Sequence, residues 1–211
     1  MSDIEEIGPK GIYAEEVIAF VRLANEYCIW LEALEDDGMT FIRNAVRNLS
    51  NVYASVVKIG DVEPLMESGN EKYVTEQMWS GIFQKVSLML GQHNSYLRIA
   101  ESDEYDRSDL VTHTISEDLA DIYQDLKDFT HQYRIGIEEI MNDAVWEVLD
   151  NFDNYWSEKL LQALLALNKL LVKKINPQDE NDPMNNASDD SMPAYDNTLF
   201  KRHQEENEED L

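Results

Sequence analysis

A chain of 211 residues with 43% hydrophobic residues is long enough to bury one substantial core, and too apolar to be disordered throughout. Its 43 acidic against 17 basic residues leave a formal charge of -26, which repels phosphate backbones and anionic lipid and so argues against nucleic-acid and membrane partners. The single cysteine, Cys28, excludes an intramolecular disulfide or a multi-cysteine metal cluster and reads as a small core residue.

The acidic start, Met1 to Glu6, has no apolar run behind it and does not read as a signal peptide. After Gly8-Pro9-Lys10-Gly11, the positions Val17, Phe20, Val21, Ala24, Tyr27, Cys28, Leu31 and Leu34 recur at helical spacing and predict a long first helix that Gly38 stops. Ile42, Ala45, Val46, Leu49, Val52, Tyr53 and Val56 predict a second, closed by Gly60, and residues 61–72 with Pro64 and Gly69 read as a loop. Thr75 is the expected N-cap of a third helix carrying Met78, Trp79, Ile82, Phe83, Val86 and Leu90.

Residues 92–113 show no clean period and are expected to form a long excursion, functional or hiding a short helix. No segment of the chain alternates as a strand requires. Thr114-Ile115-Ser116-Glu117 fits a capping box ahead of a fourth helix with Leu119, Ile122, Tyr123, Leu126, Phe129 and Tyr133. From Ile137 an apolar stripe runs through Met141, Val145, Val148 and Phe152 and continues through Trp156, Leu160, Leu164, Leu167 and Leu171. An unbroken helix there would reach roughly 55 Å, and Asp150-Asn151-Phe152-Asp153-Asn154 are poor helix formers, so a break or bend is expected among them. The most apolar stretch, Leu160 to Val172, is interrupted by Gln162, Asn168 and Lys169 and is shorter than the ~20 residues of a membrane span. The expectation is a cytoplasmic protein.

After Asn176-Pro177 the composition changes: residues 176–211 hold 11 acids and two bases, with few apolar side chains. Such a segment cannot support a core and is expected to be a disordered acidic tail. The sequence therefore predicts an all-α fold, an antiparallel bundle of five to six helices over residues 1–175, followed by the tail.

Three stretches carry a resemblance: Ala24-Asn25-Glu26-Tyr27-Cys28, Val74-Thr75 with Trp79, and Leu119-Ala120-Asp121-Ile122-Tyr123-Gln124-Asp125-Leu126-Lys127-Asp128-Phe129. Over about residues 13–172 the chain resembles an all-helical bacterial family of the Bacteroides type, known only as a domain of unknown function. The resemblance implies a helical domain from a bacterium and brings no activity, cofactor or site.

For function, the leading expectation is a non-enzymatic helical protein-interaction module with no cofactor and an unidentified, basic partner drawn by the net charge. Its contact residues would be Trp30 and Trp156 rimming a groove between helices, or Tyr195, Leu199 and Phe200, which share a helical face in an apolar and basic island of the tail. Core packing is the bland reading of those tryptophans. The alternative is an enzyme similar to the all-helical, magnesium-dependent nucleotide pyrophosphohydrolases. Asp118 with Asp121, and Glu32 with Glu35, are carboxylate pairs three residues apart, and two such pairs facing each other could hold Mg²⁺ for water attack on a phosphate. Asp118 departs from the glutamate of that family, and about 80 residues and two helices of sequence separate the two pairs, which that family places on neighbouring helices. The bland reading of all four, and of the Asp128–His131 pair, is solvated charge on helix faces.

Overall fold

The computed structural model describes residues 11–66, 69–99 and 110–179. Residues 180–211 lie outside it, and with them the expected disorder of the tail and the candidates Tyr195, Leu199 and Phe200. Among the described residues a short 3-10 turn, Gly11–Tyr13, leads into α1 (Glu15–Ala33), α2 (Gly38–Val56) and α3 (Glu76–Leu90). A second 3-10 turn, Gly91–Asn94, precedes β1 (Ser95–Ile99) and β2 (Leu110–Thr114). α4 (Ile115–Tyr133), α5 (Glu138–Asn151) and α6 (Ser157–Lys173) follow, with a π-helical turn over Phe152–Trp156 joining the last two. α5 and α6 thus form one continuous rod, and the fold is an all-α antiparallel bundle, as the periodicity predicts.

The helix starts obey local chemistry. Gly38, expected to stop the first helix, instead opens the second: Asp37 caps it, its Oδ1 accepting from Thr40 N at 2.9 Å, and Gly38 is the first residue of α2. Thr75 Oγ1 accepts from Met78 N, and Thr114 Oγ1 from Glu117 N, so both predicted N-caps form. At the far end of α6, Lys174 adopts the left-handed conformation (φ 55°), and Ile175 N bonds back to Leu170 O. The chain then folds over the start of α2. Gln178 Oε1 accepts from Gly38 N at 2.9 Å, and a Cβ at Gly38 would stand 2.6 Å from Asn176 Oδ1, so a larger residue there would push that side chain aside.

α4 is the hub, packed against α1, α3, α5 and α6, while α2 lies between α1 and α6. One core unites all of them: Phe20 of α1 stacks on Phe129 of α4 at 5.1 Å, and Tyr27 donates its hydroxyl to Leu119 O at 3.0 Å. Cys28 is buried among them, its thiol pushed up by that burial. No helix among the described residues is long and apolar enough to cross a membrane.

Two expectations need correction. The stretch after α3 is no structureless excursion but contains an antiparallel hairpin, with Ser95 opposite Thr114 and Leu97 opposite Thr112. The expected break near residue 152 is a change of helix type: the chain stays helical through a π turn, and Asn154 Nδ2 bonds to Asp150 O inside it.

Candidate functional site: the aspartate row of α4

Asp118, Asp121, Asp125 and Asp128 follow one another along α4 at intervals of three, four and three, the spacing that brings residues onto one helix face. Each accepts hydrogen bonds from a different part of the molecule. Tyr96 of β1 donates to Asp118 Oδ2 at 2.5 Å. Asp121 receives Trp79 Nε1 of α3 at 2.8 Å on Oδ1, and on Oδ2 the Tyr155 hydroxyl at 2.9 Å and Lys159 Nζ at 2.5 Å. Asn151 of α5 donates to Asp125 Oδ1 at 2.7 Å. Asp128 Oδ1 accepts from the backbone N–H groups of Tyr73 and Val74, both at 2.8 Å.

Asp118 and Asp128, at 1% and 3% exposure, overturn the reading of solvated helix-face charge. They are interior acceptors that tie the hairpin and the strap before α3 to the hub. His131 joins Asp128 in this task by stacking on Tyr73, ring centroids 3.8 Å apart. The same device recurs on α5, where Asp143 accepts from Leu65 N and Met66 N at 2.7 and 2.8 Å. A carboxylate fed by backbone donors is held in place at far lower cost than a bare buried charge.

The row is densest where the hairpin, the first turns of α4 and the π turn meet. Arg98 of β1 reaches Glu158 at 3.2 Å, with its buried Nε atom unmatched, and Glu117 and His113 lie in the same field. Burial pushes the Asp118 carboxyl up to about 7, against the lowering influence of the Tyr96 hydrogen bond and Lys159. It pushes Asp125 up to about 6, with the Asn151 bond opposing. For Lys159 burial disfavours the ammonium, but the hydrogen bond and charge of Asp121 outweigh it and hold the group protonated above the usual lysine range. Burial raises Tyr155 to about 12 and raises Tyr96 further still, while His113 is lowered, chiefly by burial and then by Arg98. At neutral pH the two phenols and the ammonium are therefore fixed donors, the imidazole is neutral, and the carboxyls of Asp118 and Asp125 are the groups pushed up toward neutral pH. Asp118 Oδ2 is already taken by Tyr96. Together these bonds tie β1, α3, α4 and the α5–α6 joint to one another.

The four carboxylates expected to hold Mg²⁺ are placed differently. Glu32 accepts from the Tyr123 hydroxyl at 2.8 Å and pairs with Lys127 at 2.5 Å, and Glu35 is exposed. Among the described residues, no three His, Cys, Asp or Glu side chains converge as a metal ion requires. Trp156, expected at a groove rim, is fully buried, donating Nε1 to Val148 O at 3.2 Å, so it rims nothing. Trp30 is half-buried, stacked on Phe41 at 5.5 Å and bonded through Nε1 to Asp36 at 2.8 Å. Tyr96, Arg98, Asp125, Tyr155 and Lys159 were not singled out by the sequence. The spacing of the aspartates was the available signal, because it is the spacing of a buried stripe written in carboxylates.

A second surface has the opposite character. α6 buries Leu160, Ala163, Leu167 and Leu170, yet along its outer side Leu161, Leu165 and Val172 remain 47%, 51% and 71% exposed. Although the chain holds 43 acids, none falls in residues 38–60 or 159–178, the stretches that form α2 and nearly all of α6. Arg43, Arg47, Lys169, Lys173 and Lys174 are exposed there, and none makes an ion pair with a described residue. A recess of about 80 Å³ between the Gly11–Tyr13 turn and residues 58–62 is far smaller than the ~300 Å³ at which ordinary ligand pockets begin.

Comparison with known proteins agrees with the fold and leaves the chemistry open. The chain is similar to protein BF1032 from Bacteroides fragilis, known from a crystal structure: 31% of residues are identical, the match covers 76% of this chain and 94% of that one, and the TM-score is 0.68. No curated protein matches. Residues 11–173 match the domain of unknown function DUF5063, nearly the whole described bundle, and the chain belongs to that family.

Proposed function

We propose that the chain is a non-enzymatic helical interaction module that docks a partner on the outer surface of α6 and the adjoining surface of α2. The observation that carries this reading is the exposed line Leu161, Leu165 and Val172 opposite the core face of α6. A helix already seated in a core gains nothing by keeping three large apolar side chains in water, and such a patch is the usual mark of a binding surface. The cations around it set the partner's chemistry. The net charge of the whole chain would draw a basic partner, but the local field of Arg43, Arg47, Lys169, Lys173 and Lys174 favours an apolar segment rimmed by acids. Magnesium-dependent phosphate chemistry draws less support, because Asp121 already answers Trp79, Tyr155 and Lys159.

The test is affinity capture from the source organism's lysate with the full chain and with Leu165→Asp/Val172→Asp. The reading expects a specific partner that the double variant loses while its melting temperature is unchanged. Equal capture by both chains removes the docking face. A rise in melting temperature with Mg²⁺ that Asp121→Asn abolishes would return the enzyme to first place.

A further inference from the structure

We infer that the occupant of the α2/α6 face in the isolated chain is its own C-terminal segment, residues 180–211, laid back across Leu161, Leu165 and Val172. The inference rests on the reading of this surface as a docking face and names what covers it.

Charge complementarity is the first support. Residues 180–211 hold ten acids and two bases, five of the acids between Glu205 and Asp210. The face they would meet has no acid in residues 38–60 or 159–178, with Asp37 at its edge beside the charge of Arg43, and carries five exposed cations without ion pairs to described residues. Apolar matching is the second. Within the acidic segment, Tyr195, Leu199 and Phe200 recur at spacings that one helical face can present, and α6 offers Leu161, Leu165 and Val172 in line. An amphipathic helix laid on an apolar strip with matched charges at the rim is a standard recognition mode.

Geometry is the third. The chain leaves α6 through a left-handed Lys174, buries Pro177, and is pinned at Gln178 to Gly38 N, the first residue of α2. It therefore departs from the end of the α2/α6 pair where Lys169, Lys173 and Lys174 stand, with Arg43 and Arg47 in the first half of α2. The 16 residues from 180 to 195 can extend about 50 Å, and α6 is only about 25 Å long, so Tyr195 can reach any part of the face. A tether of this length also holds the segment at an effective concentration of order millimolar, so a weak contact suffices to keep it seated. An external acidic partner would then have to displace the tail, and the tail would act as a built-in competitor.

The test uses the full chain carrying Asn197→Cys with a nitroxide attached. Cys28 is buried, with its thiol held protonated, and does not compete for the label. The inference expects loss of amide NMR intensity confined to residues 161–173 and 43–47. The loss should persist on dilution, weaken with added salt, and vanish in Leu165→Asp/Val172→Asp. Loss confined to residues near 179, or spread evenly over the surface, overturns the inference. Loss of signal in isotope-labelled chain mixed with nitroxide-labelled chain, fading on dilution, overturns it in favour of a second copy. These outcomes are separable from failure of the docking face itself, which is read by capture with the same double variant: partner lost but no tail contact leaves the face standing and removes only its proposed occupant.

Discussion

α4 and the α2/α6 pair treat charge in opposite ways. α4 places five acids in 19 residues and buries or half-buries all of them, each aspartate matched to a donor from another element. α2 and α6 are nearly free of acids, keep five cations in solvent without ion pairs to described residues, and hold an apolar line that no described residue covers. Charge that is buried and answered organises a fold, whereas charge left exposed and unanswered is available to something else. The total of -26 reveals neither, because position and partner decide what each charge does.

The comparison can be broken by substitution, beginning where the effect is largest. Asp121→Ala strands Lys159, whose side chain is 15% exposed, and removes the acceptor of Trp79 and Tyr155; a loss of about 3–5 kcal/mol in urea unfolding is expected. Asp128→Ala frees the N–H groups of Tyr73 and Val74 and should cost about 2 kcal/mol, with faster amide exchange at those two residues.

pH sharpens the same contrast. The Asp118 carboxyl sits at about 7 when folded and near 4 when unfolded, so between those values the folded state binds more protons. Its contribution to stability is full below pH 4 and is lost as pH rises toward 7. Asp125, at about 6, acts in the same direction. Asp118→Asn should flatten this part of a stability-versus-pH curve; an unchanged slope would mean that Asp118 is ionised throughout. The smallest effect belongs to the other face: Leu165→Ser or Lys173→Ser should change stability by less than about 0.5 kcal/mol. A large loss there would make the α6 line structural after all.

Most of the fold was legible because its helices bury aliphatic and aromatic stripes of ordinary period, and because Thr75 and Thr114 cap as their positions suggest. The hairpin was not, although its side chains do alternate: Ser95 and Leu97 face solvent, while Tyr96 and Arg98 face inward. Its inner face is filled with polar groups because it covers the Asp118 end of the row, so a search for alternating aliphatics misses it. The π turn also left a mark. Val148, Phe152, Trp156 and Leu160 are spaced by fours, and in a plain α-helix that run would drift about 120° around the axis; one wide turn keeps Val148, Trp156 and Leu160 in the core and Phe152 packed against it. The site escaped for a related reason. Carboxylates at core spacing read as surface charge until their donors, scattered from Tyr73 to Lys159, are brought together by the fold.

That wide turn makes the rod's tolerance of length change one-sided. Loops between the other helices can absorb an added or deleted residue, as surface connections generally do. Between α5 and α6 no loop exists. A π turn holds one residue more than the α turn it replaces, so deleting a single residue from Phe152–Trp156 would restore regular α geometry with everything beyond on nearly the same face, whereas adding one would swing it by about 100°. On such an insertion Leu160, Ala163 and Leu167 would rotate out of the core, and Lys159 would turn away from Asp121. The joint between α5 and α6 is thus the place where the rod can lose one residue but not gain one.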